Sequence, residues 1–439
     1  MGSRALLWKL IILAGVGLLL GVVLLRIGFL IDERQGRQRE AVASVAQSQA
    51  GAQTLIGPLL LRHCTETWNA KEGEEGKREF MLATAPDRLL LNGALNQEPR
   101  YRGLFKVNGY AGRLQLEAQW SGLAGLQPPL PRHGGGRLQC AEPVVMLAAG
   151  DARGLRGAEL RRDGTAPLTV RPGTTHPVYK QGLHALLPAG AADAPLRLTL
   201  QLDLVGTQQF ALVPAAAATQ LSLRSDWPHP SFGGRFLPSR REVGEAGFSA
   251  QWQVSELAST AAADVLARRP VAELDTLEFS MVDPVNPYVM SDRAIKYGLM
   301  FILLTFVCVG LVELLAGRRV HPVQYLLVGL ALSVFFLLLL SLSEHLDFGL
   351  SYGLAAGAAV LLLACYGAAM LGGWGRGAGF GALIAALYAA LYVLLRMEQT
   401  SLVIGALLLF AILAAVMTLT RRIDWYALGA GATGTDASR

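Results

Sequence analysis

The sequence has 439 residues, of which 52% are hydrophobic and 16% are charged, and its formal net charge at pH 7 is +6. Soluble domains average about 25% charged residues, so this composition disfavours an ordinary soluble protein and indicates one that lies in a membrane. The basic residues cluster beside apolar runs, where they orient helices and meet anionic lipid headgroups. The positive charge therefore does not predict a nucleic-acid partner.

The first apolar run covers about residues 10–25 and is preceded by Arg4 and Lys9. Positive residues on this side favour a cytoplasmic N-terminus. A cleaved signal peptide needs small residues shortly after the run, but Leu25, Arg26 and Ile27 stand there instead. Residues 1–31 are therefore predicted to be an uncleaved transmembrane anchor.

Residues 32–296 form a long polar and mixed stretch. Residues 37–52 are polar and alanine-rich, which is consistent with a helix that continues off the membrane. Leucine stands at every second position of residues 196–204, and this alternation places the leucines on one face of a β-strand. Shorter segments alternate in the same way, and clusters of glycine and proline between them indicate turns. We predict a mainly β, sandwich-like domain.

Residues 297–426 contain about five apolar runs, and runs such as 325–342 and 401–419 reach the length of a membrane helix, about 20 residues, without a charge. Basic residues follow the first, third and fifth runs, as the positive-inside rule requires of crossings that begin outside and end inside. Residues 427–439 are rich in glycine, alanine and threonine and are predicted to be a disordered cytoplasmic tail.

The predicted fold class is therefore a membrane protein of α+β type with about six transmembrane helices. One of them is the N-terminal anchor and the others form a C-terminal five-helix bundle. The β-rich domain is inserted after the first helix. The loop charges predict that both termini are cytoplasmic and that the large domain lies on the outer side of the membrane.

Two of the four cysteines, Cys64 and Cys140, fall in the predicted outer domain. A periplasmic compartment permits a disulfide between them, and two unrelated thiols are the alternative. They lack the close spacing of a structural zinc site. Cys308 and Cys365 lie in apolar runs and are expected to be buried small hydrophobes. No metal or other cofactor is predicted.

Ionisable residues near the centres of membrane helices are typical of ion-coupled transporters, and the apolar runs have essentially none. Glu313 lies within about a turn of the inner boundary and is expected to reach Arg318 or headgroup water. Other polar residues stand at helix ends and are candidate membrane-interface residues: His321, Gln324, Glu344 and His345. This pattern disfavours a secondary transporter.

An aspartate, a histidine and a serine stand close together in residues 225–234 and superficially suggest a hydrolytic triad. Members of such triads normally converge from separate loops, and the chain has no GxSxG elbow to present a nucleophile. Two prolines stiffen the backbone here. We therefore predict a rigid aromatic loop that packs against the sheet or contacts a partner, with these candidate residues: Asp226, Trp227, Pro228, His229, Pro230 and Phe232. No catalytic, cofactor-binding or metal-binding residue is predicted.

Several long segments, in order along the chain, carry a family resemblance. They are residues 226–232 (DWPHPSF), 282–285 (VDPV), 293–297 (RAIKY), 320–331 (VHPVQYLLVGLA), 341–345 (SLSEH) and 420–426 (TRRIDWY). With them the sequence resembles the CreD family of bacterial inner-membrane proteins, also described as cell envelope integrity proteins. The resemblance implies a Gram-negative inner-membrane protein with a periplasmic β-rich domain, linked to envelope integrity and the response to cell-wall stress. It implies no established biochemical activity and so no catalytic residues.

Two classes of function follow from these features. The favoured one is a non-enzymatic envelope protein whose outer domain binds or scaffolds a wall-derived ligand or a periplasmic or membrane protein, with membrane lipids as further partners. The alternative is a lipid- or wall-handling enzyme or transporter that acts at the periplasmic face near His229, Glu344 and His345. The first is favoured because the bundle lacks central polar residues and the outer domain lacks a recognisable catalytic set.

Overall fold

A computed structural model of the chain describes residues 3–69, 75–162, 167–187, 195–283, 286–316, 320–396 and 401–421. The chain forms two compact units. The helical unit comprises Met1–Arg37 and Val285–Arg439, and the β-rich unit comprises Gln38–Pro284. The predicted cytoplasmic tail, residues 427–439, lies outside the described residues.

Seven helices are found in the described residues. They are α1 Ser3–Ser48, α2 Ala261–Leu266, α3 Pro287–Ala316, α4 Pro322–Ser343, α5 Phe348–Leu371, α6 Trp374–Arg396 and α7 Ser401–Thr420. Five of these described helices, α1 and α3 to α6, are long and apolar enough to cross a membrane, and α7 covers the sixth predicted run. The chain is therefore a multi-pass membrane protein, as its sequence predicts.

The units divide at Arg37 and Pro284 rather than after residues 31 and 296. The first difference arises because α1 is a single helix of 46 residues that continues beyond the apolar run. The second arises because α3 begins at Pro287, before the hydrophobic segment, and proline is well tolerated in the first turn of a helix.

Residues at the helix ends explain where helices of the bundle begin and end. Asp347 begins α5, since its Oδ2 accepts a hydrogen bond from the backbone N–H of Gly349 at 2.9 Å, which satisfies a donor of the first turn. Gly372 ends the same helix with φ +70°, a left-handed conformation that glycine adopts without a steric cost. A Cβ at Gly377 would lie 2.5 Å from the Cβ of Ala368, so α5 and α6 approach closely through small residues.

The β-rich unit contains nineteen strands in its described residues. They are β1 Gln53–Asn69, β2 Glu75–Thr84, β3 Arg88–Gln97, β4 Arg100–Arg102, β5 Phe105–Val107, β6 Gly109–Trp120, β7 Arg137–Cys140, β8 Val144–Ala148, β9 Leu155–Arg162, β10 Pro167–Leu168, β11 Val170–Pro172, β12 Gly182–Leu186, β13 Leu196–Thr207, β14 Gln209–Leu212, β15 Ala218–Ser225, β16 Pro230–Gly234, β17 Arg240–Gly244, β18 Gly247–Ser255 and β19 Leu277–Met281.

The strands form two large sheets and a separate β4–β5 pair. One sheet has eight strands in the order β10-β9-β13-β6-β3-β15-β18-β17. The other has nine, with the path β11-β12-β8-β1-β14-β19-β16 and with β2 and β7 paired to β1. One apolar core joins side chains of both sheets, for example Leu200 and Leu114 of the eight-stranded sheet and Phe210 and Phe279 of the other. The predicted β-sandwich is therefore present.

The C-terminal end of α1 is tied to the sandwich within the β-rich unit. Arg153 donates hydrogen bonds to the carbonyls of Gln47 and, at 3.1 Å, Ala46, which lack partners inside the helix. Asp151 orients Arg153 and also accepts from the backbone N–H of Gly51 at 3.0 Å. The hydrogen bond from Arg153 is the main reason that the pKa of Asp151 falls to about 2.

Candidate functional site

The outward face of the eight-stranded sheet carries an unbroken row of amide and hydroxyl side chains. The strands pair in the order β13-β6-β3-β15-β18, and this pairing brings the members of the row side by side. The row consists of Gln201, Gln115, Asn92, Ser222 and Gln251. Since successive side chains of a strand point to opposite faces, the leucines between these residues face the core.

A second row lies two residues away on the same face and differs in size and charge. Its members in register are Arg113, Ala94, Arg224 and Ser249. Ala94 lies between the two arginines, so the surface is lower at this small side chain than at the long side chains on either side of it. Together the rows line a concave polar groove of about 670 Å³, and we use the name polar groove for it.

The two arginines of the polar groove differ in their partners. The guanidinium of Arg113 donates to Asp203 at 2.8 Å, and this hydrogen bond raises the pKa of Arg113. Arg224 is exposed and has no carboxylate partner in the described part of the chain. Amides and hydroxyls both donate and accept hydrogen bonds, and a guanidinium binds anionic oxygens. The groove can therefore bind a ligand that carries hydroxyl groups and negative charge.

Sequence reasoning missed the polar groove. Its residues come from five strands that are spread from β3 to β18, and only the pairing of strands brings them together. The available signal was the residue type between the inward leucines, for instance Gln201 between Leu200 and Leu202 in β13.

The predicted aromatic loop packs into the sandwich. Trp227 is 3% exposed and belongs to the core, and its Nε1 donates to the carbonyl of His229 at 2.7 Å. Asp226 accepts from the backbone N–H of Gln97 at 2.6 Å. The carboxylate of Asp226 therefore binds the end of β3. The side chains of His229 and Ser231 are exposed.

The end of the loop becomes strand β16. Phe232 packs edge-on against Phe248 and Trp252, with ring centroids 5.5 Å and 5.7 Å away. Pro230 lies opposite Met281 at the start of the antiparallel pairing with β19. These contacts explain why aromatic residues and prolines occur together here. In the described residues, no group of three or more His, Cys, Asp or Glu side chains could hold a metal ion.

Two of the candidate interface residues form a helix cap. His321 Nδ1 accepts from the backbone N–H of Val323 at 3.3 Å, and Gln324 Oε1 accepts from the backbone N–H of His321 at 3.0 Å. This reciprocal capping box starts α4. His345 is exposed after the end of the same helix.

Glu344, another candidate, joins three segments of the helical unit. Its Oε1 lies 3.4 Å from Nε of Arg34 on α1 and accepts from the hydroxyl of Tyr288 on α3 at 3.3 Å. The carboxylate is 10% exposed. It therefore fixes α1 to α3 and the end of α4.

Glu313 has a different partner from the one that its position in the sequence suggests. Both carboxylate oxygens lie 2.5 Å from Nζ of Lys9 on α1, and Tyr325 of α4 donates to Oε2 at 3.0 Å. The expected partner, Arg318, lies outside the described residues. The expectation missed Lys9 because this residue is 304 positions away along the chain.

Cys64 of β1 lies opposite Cys140 of β7. Their sulfur atoms are 1.99 Å apart and form a disulfide in the structure. Cys308 and Cys365 are free, and the expectation that they are buried was wrong, since Cys308 is half-buried and Cys365 is exposed on α5. The bond closes a loop between residues that are 76 positions apart.

Comparison with known proteins gives a match over both units. The family model described as "Inner membrane protein CreD" matches residues 5–426. Inner membrane protein CreD of Escherichia coli (strain K12) is 34% identical over 435 residues, which cover 96% of this chain and 94% of that protein.

Proposed function

The chain belongs to the CreD family of inner membrane proteins, and from this premise we propose that it supports envelope integrity and the response to cell-wall stress as a non-enzymatic binding or scaffolding protein. In this proposal both termini are cytoplasmic and the β-rich unit is periplasmic. The unit binds a wall-derived ligand or a periplasmic or membrane protein, while the helical unit anchors it among membrane lipids.

The polar groove is the observation that carries this proposal. Its side chains project from paired strands, and sites built on strands hold their side chains more rigidly than sites on loops. The lining offers amide, hydroxyl and guanidinium groups, which suit a hydroxyl-rich or anionic component of the envelope. Burial of the leucines on the opposite face keeps the sheet in place beneath it.

The chemistry of the groove supports binding over catalysis. The carboxylate that borders the groove, Asp203, is held by the guanidinium of Arg113, and the described lining contains no imidazole or thiol that could serve as a general base or a nucleophile. At the membrane end, Glu344 is engaged by Arg34 and Tyr288. Its contacts support a role in holding helices together.

Charge reversal of the exposed arginine in the groove tests the proposal. We expect Arg224→Glu to weaken ligand binding by about tenfold or more, since a charged hydrogen bond contributes about 1.5–3 kcal/mol. In cells that lack their own CreD protein, the variant should fail to restore resistance to a cell-wall antibiotic, at a protein level equal to that of the wild type.

Arg156→Glu is the matched control, because Arg156 is an exposed arginine of β9 in the same sheet and does not line the groove. This variant should restore resistance as the wild type does. Equal restoration by both variants would show that the polar groove does not carry the function. Equal failure would indicate a general effect of charge on the sheet.

A further inference from the structure

An open apolar cleft runs between α1 and α3 inside the helical unit. It encloses about 840 Å³. Gly17, Gly21 and Gly28 of α1 line one side together with apolar side chains of the same helix, and leucines of α3, Leu299 and Leu303, line the other. It extends along α1 from Leu13 to Asp32, a rise of about 28 Å, which is close to the thickness of a bilayer core, about 30 Å.

The cleft has open space beside α1 at Gly17 and Gly28. A Cβ atom at Gly17 or Gly28 would meet nothing within 4 Å. By contrast, a Cβ at Gly298 on α3 would lie 3.0 Å from Leu24, so the two helices do pack elsewhere. The cleft is therefore space that a flexible apolar chain can enter without displacing a side chain.

Charged residues lie at one end of the cleft only, where α1 leads into the β-rich unit. They are Asp32 of α1 and Asp292 and Lys296 of α3. Lys296 donates to Asp292 at 2.7 Å and its side chain is 71% exposed. Two carboxylates and one ammonium give this end a formal charge of −1. That charge favours a headgroup with a positive group, which the carboxylates can bind, and an anionic group, which Lys296 can bind.

We propose that the cleft binds a zwitterionic phospholipid of the phosphatidylethanolamine class. One acyl chain lies along the glycines of α1, the lipid ammonium contacts Asp32, and the lipid phosphate contacts Lys296. An amphiphile with charge at one end and an apolar tail matches a cleft that is charged at one end and apolar along the rest. The excess of carboxylates disfavours lipids whose headgroup is only anionic.

Filling the cleft tests this site. The full-length protein is extracted in a mild detergent, and bound phospholipids are counted by native mass spectrometry. Gly28→Leu places a side chain in the open space and should reduce the phosphatidylethanolamine-bound fraction by about fivefold or more, since an acyl chain that is kept out of the cleft loses its van der Waals contacts with α1 and α3. Gly17→Leu should act in the same direction.

Gly15→Leu is the control, because Gly15 is on the same helix, is exposed and also has free space at its Cβ, but does not line the cleft. This variant should retain the lipid at the wild-type level. The proposal is overturned if Gly28→Leu retains as much lipid as Gly15→Leu. It is also overturned if Gly28→Leu instead converts a dimer to a monomer, which would assign the cleft to a second copy of the chain.

The headgroup is tested in nanodiscs that contain equal amounts of phosphatidylethanolamine and phosphatidylglycerol. Wild-type protein should retain more of the ethanolamine lipid on release. Asp32→Asn should lower this preference by about two- to fivefold, the range of a single exposed ion pair. A wild-type protein without preference, or a preference that survives Asp32→Asn, would contradict the assignment of the ammonium to Asp32.

Discussion

His176 of the β-rich unit is a buried residue whose ring must stay neutral. Its Nδ1 accepts hydrogen bonds from the backbone N–H groups of Val178 and Tyr179 at 3.2 Å and 3.1 Å, and the ring stacks on that of Tyr179 at 4.5 Å. Burial, and then the positive charges of Arg268 and His63, lower the pKa of His176 to about 4. A protonated ring loses both accepted hydrogen bonds.

This pKa predicts a loss of stability in mild acid. The ordinary pKa of histidine is about 6.5, so the unfolded chain binds the proton more tightly than the folded chain. The stabilisation by neutral His176 is complete above pH 6.5 and decreases as the pH falls towards 4. Between pH 7 and pH 5 we expect the free energy of unfolding to fall by about 2 kcal/mol from this residue. Thermal unfolding in detergent, followed by tryptophan fluorescence at both pH values, measures this change in stability.

His176→Asn separates this effect from general acid sensitivity. The amide oxygen can accept the same hydrogen bonds and does not titrate, so the variant should lose most of the difference between pH 7 and pH 5. His229→Asn, at an exposed position, should keep the difference. An unchanged pH dependence in His176→Asn would show that other groups govern acid stability.

At the scale of the element, α1 is held by a largely buried ion pair near its start. Lys9 and Glu313 are 15% and 13% exposed. Glu33 and Arg37 form an exposed ion pair on the part of α1 beyond the apolar run, where their side chains are 55% and 58% exposed. Removal of one partner of a buried pair leaves an uncompensated charge and costs about 3 kcal/mol or more, whereas exposed pairs contribute less than about 1 kcal/mol.

We therefore expect Glu313→Gln to lower the melting temperature of the protein in detergent, and Glu33→Gln to leave it nearly unchanged. The two substitutions are chemically identical, so burial is the variable that is compared. A double variant, Lys9→Met with Glu313→Gln, should recover part of the loss because no unpaired charge remains. If both single variants melt alike, the Lys9–Glu313 contact does not stabilise α1.

Elements with a strong local period were predictable, and their partners were not. The alternating leucines of residues 196–204 lie in β13, as predicted. By contrast, the parallel pairing of β1 with β14 and the alignment of Gln115 with Gln201 depend on long-range register. Register is a property of the assembled sheet, so one segment of sequence does not contain it.

For the whole molecule, the order of segments was the most predictable feature, because membrane thickness sets the length of each apolar run. The chain places the β-rich unit between α1 and the remaining helices, as the sequence indicates. The side of the membrane proposed for this unit rests on loop charges alone. The Cys64–Cys140 pair offers an independent measurement of that side.

A disulfide persists in the periplasm and is reduced in the cytoplasm. If the β-rich unit is periplasmic, denatured protein from cells lysed in an alkylating reagent should show two reactive thiols without reductant and four with it, since Cys308 and Cys365 are free. Intact-protein mass spectrometry counts the alkyl groups. The variant Cys64→Ser should show three reactive thiols under either condition, because it releases Cys140. Four reactive thiols in the wild type without reductant would place the unit in a reducing compartment and reverse the proposed topology.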